Sequence, residues 1–540
     1  MIPLKLGLPA LAVCIAAAGA SIQPKKNEPQ FQTSDRCLAC HNGLVTSSGA
    51  DVSIGFHWRA SIMANSSHDP YWQASSRREV MDHREARAEI EDDCSICHMP
   101  IPRYEARLRG RTGEIFANLP LSTEDKLHRQ AADGVSCAVC HQITKDKLGT
   151  RDSYNGGFVV HGPDADGRRA EYGPFQIKQG RKTIMRSSTE GYRPEESSHI
   201  RESELCATCH TLITTALGPG GKAIGELPEQ MPYPEWLHSD YRDKQSCQSC
   251  HMPKIEGPVK IARVLGEDRE GARLHSFIGG NFFMLQLLNR YRGDLSVTAL
   301  PPELAANAKA TAEFLGSQSA SLSIENVSQA QDRLEADVVV VNKNGHKLPT
   351  AFPSRRAWLH FVVHDKLGRT IFESGALNPD GSIPGNDNDL DPTRYEAHYR
   401  TINSPEQVQI YESILGDNNG RVTTGLLAGV RYLKDNRLLP KGFDKRTAEH
   451  DVAVLGDALN DPEFTGGQDR VRYAIAIGTA TGPFTIAAEL WYQPIGYRWA
   501  NNLKPYDTAA EPRRFNSYFD SMQSDSATIL ARATLVANGR

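Results

Sequence analysis

The chain has 540 residues, and its 61 Lys and Arg against 65 Asp and Glu give a formal charge of −4. This near balance favours neither a nucleic-acid partner nor an anionic membrane surface. A chain of this length normally folds as two or more domains.

The N-terminus has the features of a secretory signal peptide. Lys5 precedes the apolar run LGLPALAVCIAAAGA, which ends in small residues, and this order is typical of exported proteins. The run is shorter than the roughly 20 residues that a membrane-spanning helix needs. We therefore predict a signal peptide over 1–20, cleavage near Ser21 and a periplasmic or extracellular protein without a membrane span. An uncleaved anchor and a lipoprotein site at Cys14 are the alternatives.

Five Cys-x-x-Cys-His motifs follow and contain every cysteine except Cys14. Their residues are Cys37, Cys40 and His41; Cys94, Cys97 and His98; Cys137, Cys140 and His141; Cys206, Cys209 and His210; and Cys247, Cys250 and His251. We number them motifs 1 to 5. The pattern is the attachment sequence of c-type haem, in which two thiols bond the porphyrin and the histidine binds iron. Zinc or disulfide elements would not be expected to repeat this spacing five times. The sequence therefore predicts five covalently bound haem c groups and no disulfides.

Further histidines are candidates for the second axial position of each iron. His83, His128, His199 and His238 lie a short distance before motifs 2 to 5. Only a short segment separates each of these histidines from the motif that follows it. We therefore expect each histidine to bind the iron of a neighbouring haem rather than that of the haem attached to the following motif. A solvent-facing histidine is the alternative.

Two histidines and a methionine further along the chain are also candidates. His275 lies in LHSFIGGN, where glycines permit close approach to a flat cofactor, and His346 lies in the loop NGHKLPT. Met63 is an additional candidate. If His346 is a ligand, the C-terminal half closes one face of the haem region.

The pattern of the chain changes near residue 300. We predict a loop-rich, mainly helical haem domain over 21–300, which ends in an apolar helix within 274–291, and a connecting helix over 301–318. Short runs rich in Val, Ile, Phe and Tyr then alternate with turn residues, which predicts a β-sandwich over 319–505. Residues 506–540 are predicted to be a helical segment packed on the body. The fold class is thus α+β and multidomain.

The loop 377–392 brings four carboxylates close together in sequence: Asp380, Asp387, Asp389 and Asp391. Carboxylate oxygens are the ligands that calcium prefers. The loop lacks the spacing of an EF-hand, so a solvated polar turn is the alternative to a calcium site.

The haem motifs and their surroundings resemble a known family. ADGVSCAVCHQI, ELCATCHTLIT, HSFIGGN and NGHKLPT are similar to segments of multihaem cytochromes related to tetrahaem cytochrome c-554 and hydroxylamine oxidoreductase. The resemblance spans roughly residues 30 to 350. It implies stacked haems with mainly bis-histidine iron and distal roles for His199, His275 and His346. The chain has no Cys-x-x-Cys-Lys motif, so the lysine-ligated catalytic haem of pentahaem nitrite reductases is not expected.

Three functions are compatible with these features. The first is an electron carrier that moves electrons between redox partners, quinol-linked or other cytochromes, without catalysis. The second is a reductase or oxidase of a small nitrogen or sulfur compound at one open haem. The third is a haem subunit of a respiratory complex, homo-oligomer or filament, docked through the β-domain. The supply of histidines favours the first.

Overall fold

The cysteine-rich part of the chain is built from short helices around the motifs. The computed structural model describes residues 30–538, and the predicted signal peptide lies outside them. The helices of this part are α1 Asp35–Leu38, α2 Ile54–Arg59, α3 Pro70–Asp82, α4 Arg87–His98, α5 Pro100–Leu108, α6 Lys126–Ala132, α7 Cys137–Gln142, α8 Gln179–Ser188, α9 Ser203–His210, α10 Pro232–Leu237, α11 Cys247–His251 and α12 Phe282–Arg290.

Local capping explains where several of these helices begin. Asp69 accepts hydrogen bonds from the backbone N–H groups of Tyr71 and Trp72, and Pro70 occupies the first turn of α3. Ser136 caps α7 in the same way, one residue before motif 3. A side-chain oxygen at this position satisfies N–H groups that lack a partner in the helix. The cap therefore fixes the start of the turn that carries Cys137.

Three two-stranded ribbons accompany these helices. Strand β1 (Arg169–Gly173) is parallel to β2 (Tyr192–Glu196), while β3 (Leu212–Leu217) with β4 (Ala223–Gln230) and β5 (Val259–Lys260) with β6 (Asp268–Arg269) are antiparallel. The ribbon β3–β4 connects motif 4 to α10, and β5–β6 follows motif 5. The first ribbon, β1–β2, therefore lies in the connection between motifs 3 and 4, and the second, β3–β4, in the connection between motifs 4 and 5.

A long helix, α13 (Pro301–Gln318), covers the segment predicted to connect the two parts. It packs against α12, whose residues Phe282 to Leu288 are almost all buried. Among the described residues, no helix is both long and apolar enough to cross a membrane.

The C-terminal half is rich in β-structure, and the predicted α+β class is confirmed. Its further elements are β7 Ala320–Ala330, β8 Arg333–Asn342, β9 Arg356–His364, β10 Thr370–Ser374, α14 Asp387–Leu390, β11 Thr401–Ile402, β12 Ile410–Tyr411, β13 Ser413–Gly416, β14 Val422–Thr423, β15 Arg431–Asp435, β16 Gln468–Ala476, β17 Phe484–Gln493, α15 Tyr497–Asn501, α16 Ala510–Asp520 and β18 Thr528–Ala537.

These strands form two facing sheets and a smaller third one. One sheet has the order β10–β9–β17–β18, with β12 also paired to β9; the second has the order β11–β16–β8–β7; and β14–β13–β15 form the third. Phe361 of β9 stacks on Tyr473 of β16 with ring centroids 3.8 Å apart. Aromatic contact between inward-facing residues of two sheets is the packing expected of a sandwich.

The end of the chain differs from the prediction. The helix expected over 506–540 is present only at Ala510–Asp520, and Thr528–Ala537 is a strand paired antiparallel with β17. The run TILARATLVA alternates in burial along part of its length and contains β-branched residues, which suits an edge strand. Helix α16 packs on α3, where Glu511 binds Arg77 at 2.8 Å. The C-terminal segment thus joins the sandwich to the cysteine-rich part.

Apolar burial is unevenly shared between the two halves. One large cluster unites the two sheets with α12, α13 and α16. Apart from α12 and a few residues such as Tyr71 and Ala74, the cysteine-rich part has only small separate clusters, such as the one around Phe31, Ile101 and Tyr192. Its helices instead line a common cavity.

Candidate functional site

All five Cys-x-x-Cys-His motifs face one cavity. Its volume is 1910 Å³, and its wall includes the ten motif cysteines and the five motif histidines. The ten cysteines are free thiols. Motifs 2, 4 and 5 form the last turns of α4, α9 and α11, and motif 3 opens α7. Because residues three and four apart share a helix face, each of these motifs presents its thiols and imidazole together.

The backbone holds most motif histidines in one orientation. Their Nδ1 atoms lie near carbonyl oxygens: His41 with Ile261 at 2.5 Å, His98 with Ser66 at 2.9 Å, His141 with Tyr172 at 2.6 Å and His251 with Ile278 at 2.6 Å. A carbonyl oxygen only accepts hydrogen bonds, so Nδ1 carries the proton. The lone pair of Nε2 then remains for a metal ion, as in most metal-ligating histidines.

Burial keeps the motif imidazoles neutral. Loss of water contact lowers the pKa of His98 and of His210 to about 4, and it lowers the pKa of the other three. Only a neutral imidazole can bind a metal ion. The motif histidines therefore have both the orientation and the protonation state of iron ligands, and the residues fit a set of covalently bound haems.

Two of the motif histidines face a second histidine across the cavity. The rings of His141 and His275 have centroids 6.5 Å apart and planes 20° apart, and those of His251 and His346 are separated by 6.2 Å and 10°. A metal–imidazole bond is about 2 Å long, so two rings on opposite sides of one metal ion have centroids roughly 6 Å apart. Both pairs have the separation of axial ligands that share an ion.

The second ring of each pair has the same kind of Nδ1 contact and the same neutral state as the motif histidine. Nδ1 of His275 lies 3.1 Å from the carbonyl oxygen of Arg273, and Nδ1 of His346 lies 2.9 Å from that of Lys347. Burial lowers the pKa of His275 to about 3 and that of His346 to about 4. Both are neutral donors on the cavity wall.

The four histidines upstream of the motifs lie elsewhere. His83, His128, His199 and His238 are absent from the cavity wall. His238 packs on Phe443, with ring centroids 5.5 Å apart. The ring nitrogens of His199 lie 2.6 Å from Ser197 Oγ and 2.8 Å from the Ile143 carbonyl oxygen. Its distal role stays a prediction that requires the ring to leave these two partners.

Seven histidines line the cavity among the described residues, and His41, His98 and His210 are not in ring pairs of the kind that His141 and His251 form. Trp72 stacks on His98 with centroids 4.3 Å apart and planes 1° apart, which restricts rotation of that ring. Met63, the other candidate ligand, also lines the cavity.

Contacts between cysteines define which motifs are neighbours. The thiols of Cys37 and Cys137, in motifs 1 and 3, are close enough to shift each other's pKa, and so are the thiols of Cys206 and Cys247, in motifs 4 and 5. Cys97 of motif 2 lies 4.0 Å from the carbonyl oxygen of Cys209 in motif 4. Motif 4 is therefore in contact with two other motifs.

A buried charged cluster lies directly behind His346. Lys347 Nζ donates to Asp435 Oδ2 at 2.7 Å, and Arg437 binds Asp435 at 2.7 Å and Glu235 at 3.0 Å. Glu235 Oε2 also accepts a hydrogen bond from the backbone of Lys347 at 3.1 Å. Glu235 belongs to α10, just before motif 5, and the other three charged members belong to the β-rich half. The cluster therefore fixes the His346 loop against the motif-5 region. No local sequence pattern indicates this cluster, because its members are distant along the chain.

The carboxylates of the predicted calcium loop are bonded to other groups of the protein. Each carboxylate has its own protein partner: Asp380 with Ser382 at 2.6 Å, Asp387 with Arg394 at 2.6 Å, Asp389 with Arg356 at 2.8 Å and Asp391 with Thr393 at 2.7 Å. The buried Arg356–Asp389 pair anchors the loop to β9. Calcium binding here stays a prediction that no contact favours.

Among the described residues, a potential metal-binding group is formed by His398, Asp461 and Asp469, with ligand atoms within 4.8 Å of one another. Nδ1 of His398 lies 2.9 Å from the Gln409 amide nitrogen and 3.1 Å from that of Asn436. Both amides are fixed because their oxygens accept backbone N–H groups. His398 Nδ1 is thus an acceptor, and Nε2 donates to Asp461 at 3.3 Å. Neither nitrogen is left for a metal ion, so this is a hydrogen-bond network.

Comparison with known proteins identifies one solved structure of this fold. It is the crystal structure of a penta-heme cytochrome c552 from Thermochromatium tepidum, with a TM-score of 0.52 over 94% of this chain and 100% of that chain. The sequences are 16% identical, and the likeness shows a shared fold. No protein-family model matches the chain, and no curated protein matches it.

Proposed function

We propose that the protein is an exported pentahaem c-type cytochrome that carries electrons between redox partners. The observation that carries this proposal is the convergence of five Cys-x-x-Cys-His motifs on one cavity, with neutral imidazoles presented to it. The structural likeness to a penta-heme cytochrome supports it.

The ten motif cysteines would form the thioether bonds, and the five motif histidines would be the proximal iron ligands. Bound haem supplies reversible one-electron chemistry at iron. The chain's own residues orient the imidazoles through carbonyl acceptors, keep them neutral by burial and exclude water from the cavity. None of these tasks requires a group that moves during turnover, as suits an electron carrier.

His275 and His346 are the proposed distal ligands for motifs 3 and 5. The ring separations of 6.5 and 6.2 Å support this assignment. His346 follows β8, so the β-rich half would complete a haem site of the other half. The β-rich half would then supply an iron ligand in addition to any role in docking to a partner.

The cysteine contacts suggest the order of electron transfer. Thioether sulfurs attach at porphyrin edges, so motifs with touching cysteines would carry adjacent haems. We infer that motif 4 is a branch point between motifs 2 and 5, since it contacts both. Motifs 1 and 3 form a further pair, and the thiol of Cys140 in motif 3 is close enough to Cys206 to affect its pKa.

The direct test is the haem content and redox behaviour of the purified, exported protein. We expect five haems per chain by mass spectrometry and pyridine haemochrome absorbance, and complete reversible reduction. Fewer than five covalent haems would refute the pentahaem assignment. Its expected partners are redox proteins, quinol-linked or other cytochromes, and rapid reduction by one of them without substrate turnover would support a carrier.

Catalysis at one open iron is the second candidate. It is favoured by one observation: among the described residues, His41, His98 and His210 have no second histidine ring paired with them as His141 and His251 do. Low-temperature EPR with ferrous–CO titration distinguishes the two. A stoichiometric high-spin haem that binds CO would support an enzyme, and five low-spin haems would support the carrier.

A further inference from the structure

We propose that Arg355 and Tyr492, together with the Gly279–Gly280 turn, form an anion site on the cavity wall that holds a propionate carboxylate of a bound haem. All four residues line the cavity. The inference rests on the proposed function, because the carboxylate belongs to the cofactor.

The charge of Arg355 has no acidic partner among the described residues. Its Nη1 donates to the carbonyl oxygen of Thr350 at 3.0 Å, and its Nη2 donates to Asn281 Oδ1 at 3.0 Å. Both acceptors are neutral. The adjacent Arg356, by contrast, forms a buried ion pair with Asp389 at 2.8 Å. Arg355 is half-buried, and a cation partly withdrawn from water is stabilised by an opposite charge, which the described residues do not supply.

Arg355 lies beside the irons' proposed ligands in motifs 4 and 5. Arg355 lines the same cavity as the motif histidines His210 and His251 and as His346. Its Nη1 also lies 3.4 Å from the Cβ position of Gly280, two residues after Ile278, whose carbonyl oxygen accepts a hydrogen bond from His251 Nδ1 at 2.6 Å. A carboxylate carried by a haem between these histidines would be within the reach of its planar donor group.

Gly280 keeps this corner of the cavity open. A Cβ atom there would lie 2.6 Å from Tyr492 Oη and 3.4 Å from Arg355 Nη1. The same point is thus in contact with a hydroxyl and a guanidinium, and Tyr492 is 2% exposed. Any residue larger than glycine would push these two donors away from each other.

The chemistry of these donors favours a carboxylate. A guanidinium binds carboxylates through two parallel N–H bonds, and the phenol O–H adds a third donor. The motif-5 iron would be closed by His346, so an exogenous anion would have no coordination position there. Each haem instead brings two propionates, which would neutralise Arg355 inside the protein.

The test compares the substitutions Arg355→Gln, Arg355→Lys and Gly280→Ala in the holoprotein. Arg181→Gln is the matched control, because Arg181 lines the same cavity but is paired with Glu267 at 2.6 Å. Potentiometric titration and carboxylate bands in redox difference infrared spectra are the measurements. We expect Arg355→Gln to lower the midpoint potential of one or two haems, because loss of a nearby cation favours the oxidised iron. Arg355→Lys should lower the midpoint potential by a smaller amount, and Gly280→Ala should also lower it. The control Arg181→Gln should leave the midpoint potentials unchanged.

The outcomes separate this inference from the proposed function. A wild-type protein with fewer than five haems overturns the proposed function itself. Five haems with unchanged potentials and carboxylate bands in Arg355→Gln overturn only the anion site. If added nitrite or sulfite shifts the wild-type Soret band and Arg355→Gln abolishes the effect, the site takes a free anion and the propionate assignment is wrong. If the glutamine variant does not accumulate, unchanged carboxylate bands in Arg355→Lys are decisive against the proposal.

Discussion

The imidazole rings of His251 and His346 face each other with centroids 6.2 Å apart and planes 10° apart. His251 ends motif 5, whereas His346 lies in a loop after a strand of the β-rich half. A buried charged cluster that includes Glu235 and Lys347 holds that loop in position. The β-rich half therefore forms part of the wall of the cavity that the five motifs line.

Replacing His346 with alanine should convert one haem from low-spin to high-spin. The variant would remove the proposed sixth ligand of the motif-5 iron, and CO should then bind to about one haem per chain. EPR of the oxidised protein and CO difference spectra of the reduced protein measure this. His450→Ala is the control, since the His450 side chain is 91% exposed. An all-low-spin His346→Ala protein would rule out His346 as a ligand.

The substitution His275→Ala should have the same effect at a different haem. His275 faces His141 of motif 3, so the single variants should each expose one iron and the double variant two. CO stoichiometry in the three variants checks this. If the double variant binds no more CO than either single one, the two histidines do not serve separate irons.

Glu235 is predicted to position His346 rather than to contact the cofactor. Glu235→Gln leaves Arg437 and Lys347 with one carboxylate instead of two. Breaking a buried ion pair typically lowers the free energy of unfolding by roughly 3–5 kcal/mol. We expect a lower unfolding midpoint together with partial high-spin character of one haem. Glu303→Gln is a useful comparison because its ion pair with Arg59 is partly exposed. Destabilisation without any high-spin signal would indicate a purely structural role.

Low pH should lower the stability of the folded protein because it protonates Asp435. Burial alone would raise the pKa of this carboxyl, but Arg437 and Lys347 outweigh it and hold the pKa well below its ordinary range. A depressed pKa in the folded state stabilises the protein above the unfolded-state value of about 3.9, and this contribution is lost as the pH falls below it. Asp435→Asn should therefore be less stable than the wild type at pH 7, with the difference shrinking toward pH 2. Urea unfolding followed by circular dichroism at both pH values measures this; an equal difference at the two would contradict it.

Without haem, the two halves should differ in their resistance to proteolysis. The cysteine-rich half has small apolar clusters around a 1910 Å³ cavity, whereas the sheets share one large cluster. Protein made in a strain that lacks haem-attachment machinery should be cleaved first within residues 30–260, while fragments from 320–537 persist. Mass spectrometry of timed digests identifies the fragments. Equal resistance of both halves to proteolysis would show that the cysteine-rich half folds around the cavity without haem.

Local patterns predicted the fold class and which residues of each motif lie together, because both depend on short-range spacing. Cysteines and histidine three and four residues apart share a helix face wherever the helix lies. The alternating runs after residue 320 likewise indicated strands. The same kind of reasoning failed at the C-terminus, where Thr528–Ala537 is a strand because it pairs with β17, a contact between distant segments.

The sequence by itself determined the number of attachment motifs, their residue identities and the change from helices to sheets. Only the tertiary structure decided which histidines meet: His141 with His275 and His251 with His346, rather than the nearby upstream histidines. The reason is that axial pairing depends on ring orientation across a cavity closed by both halves of the chain. The buried cluster behind His346 and the uncompensated charge of Arg355 depend on the same long-range packing, which no local pattern encodes.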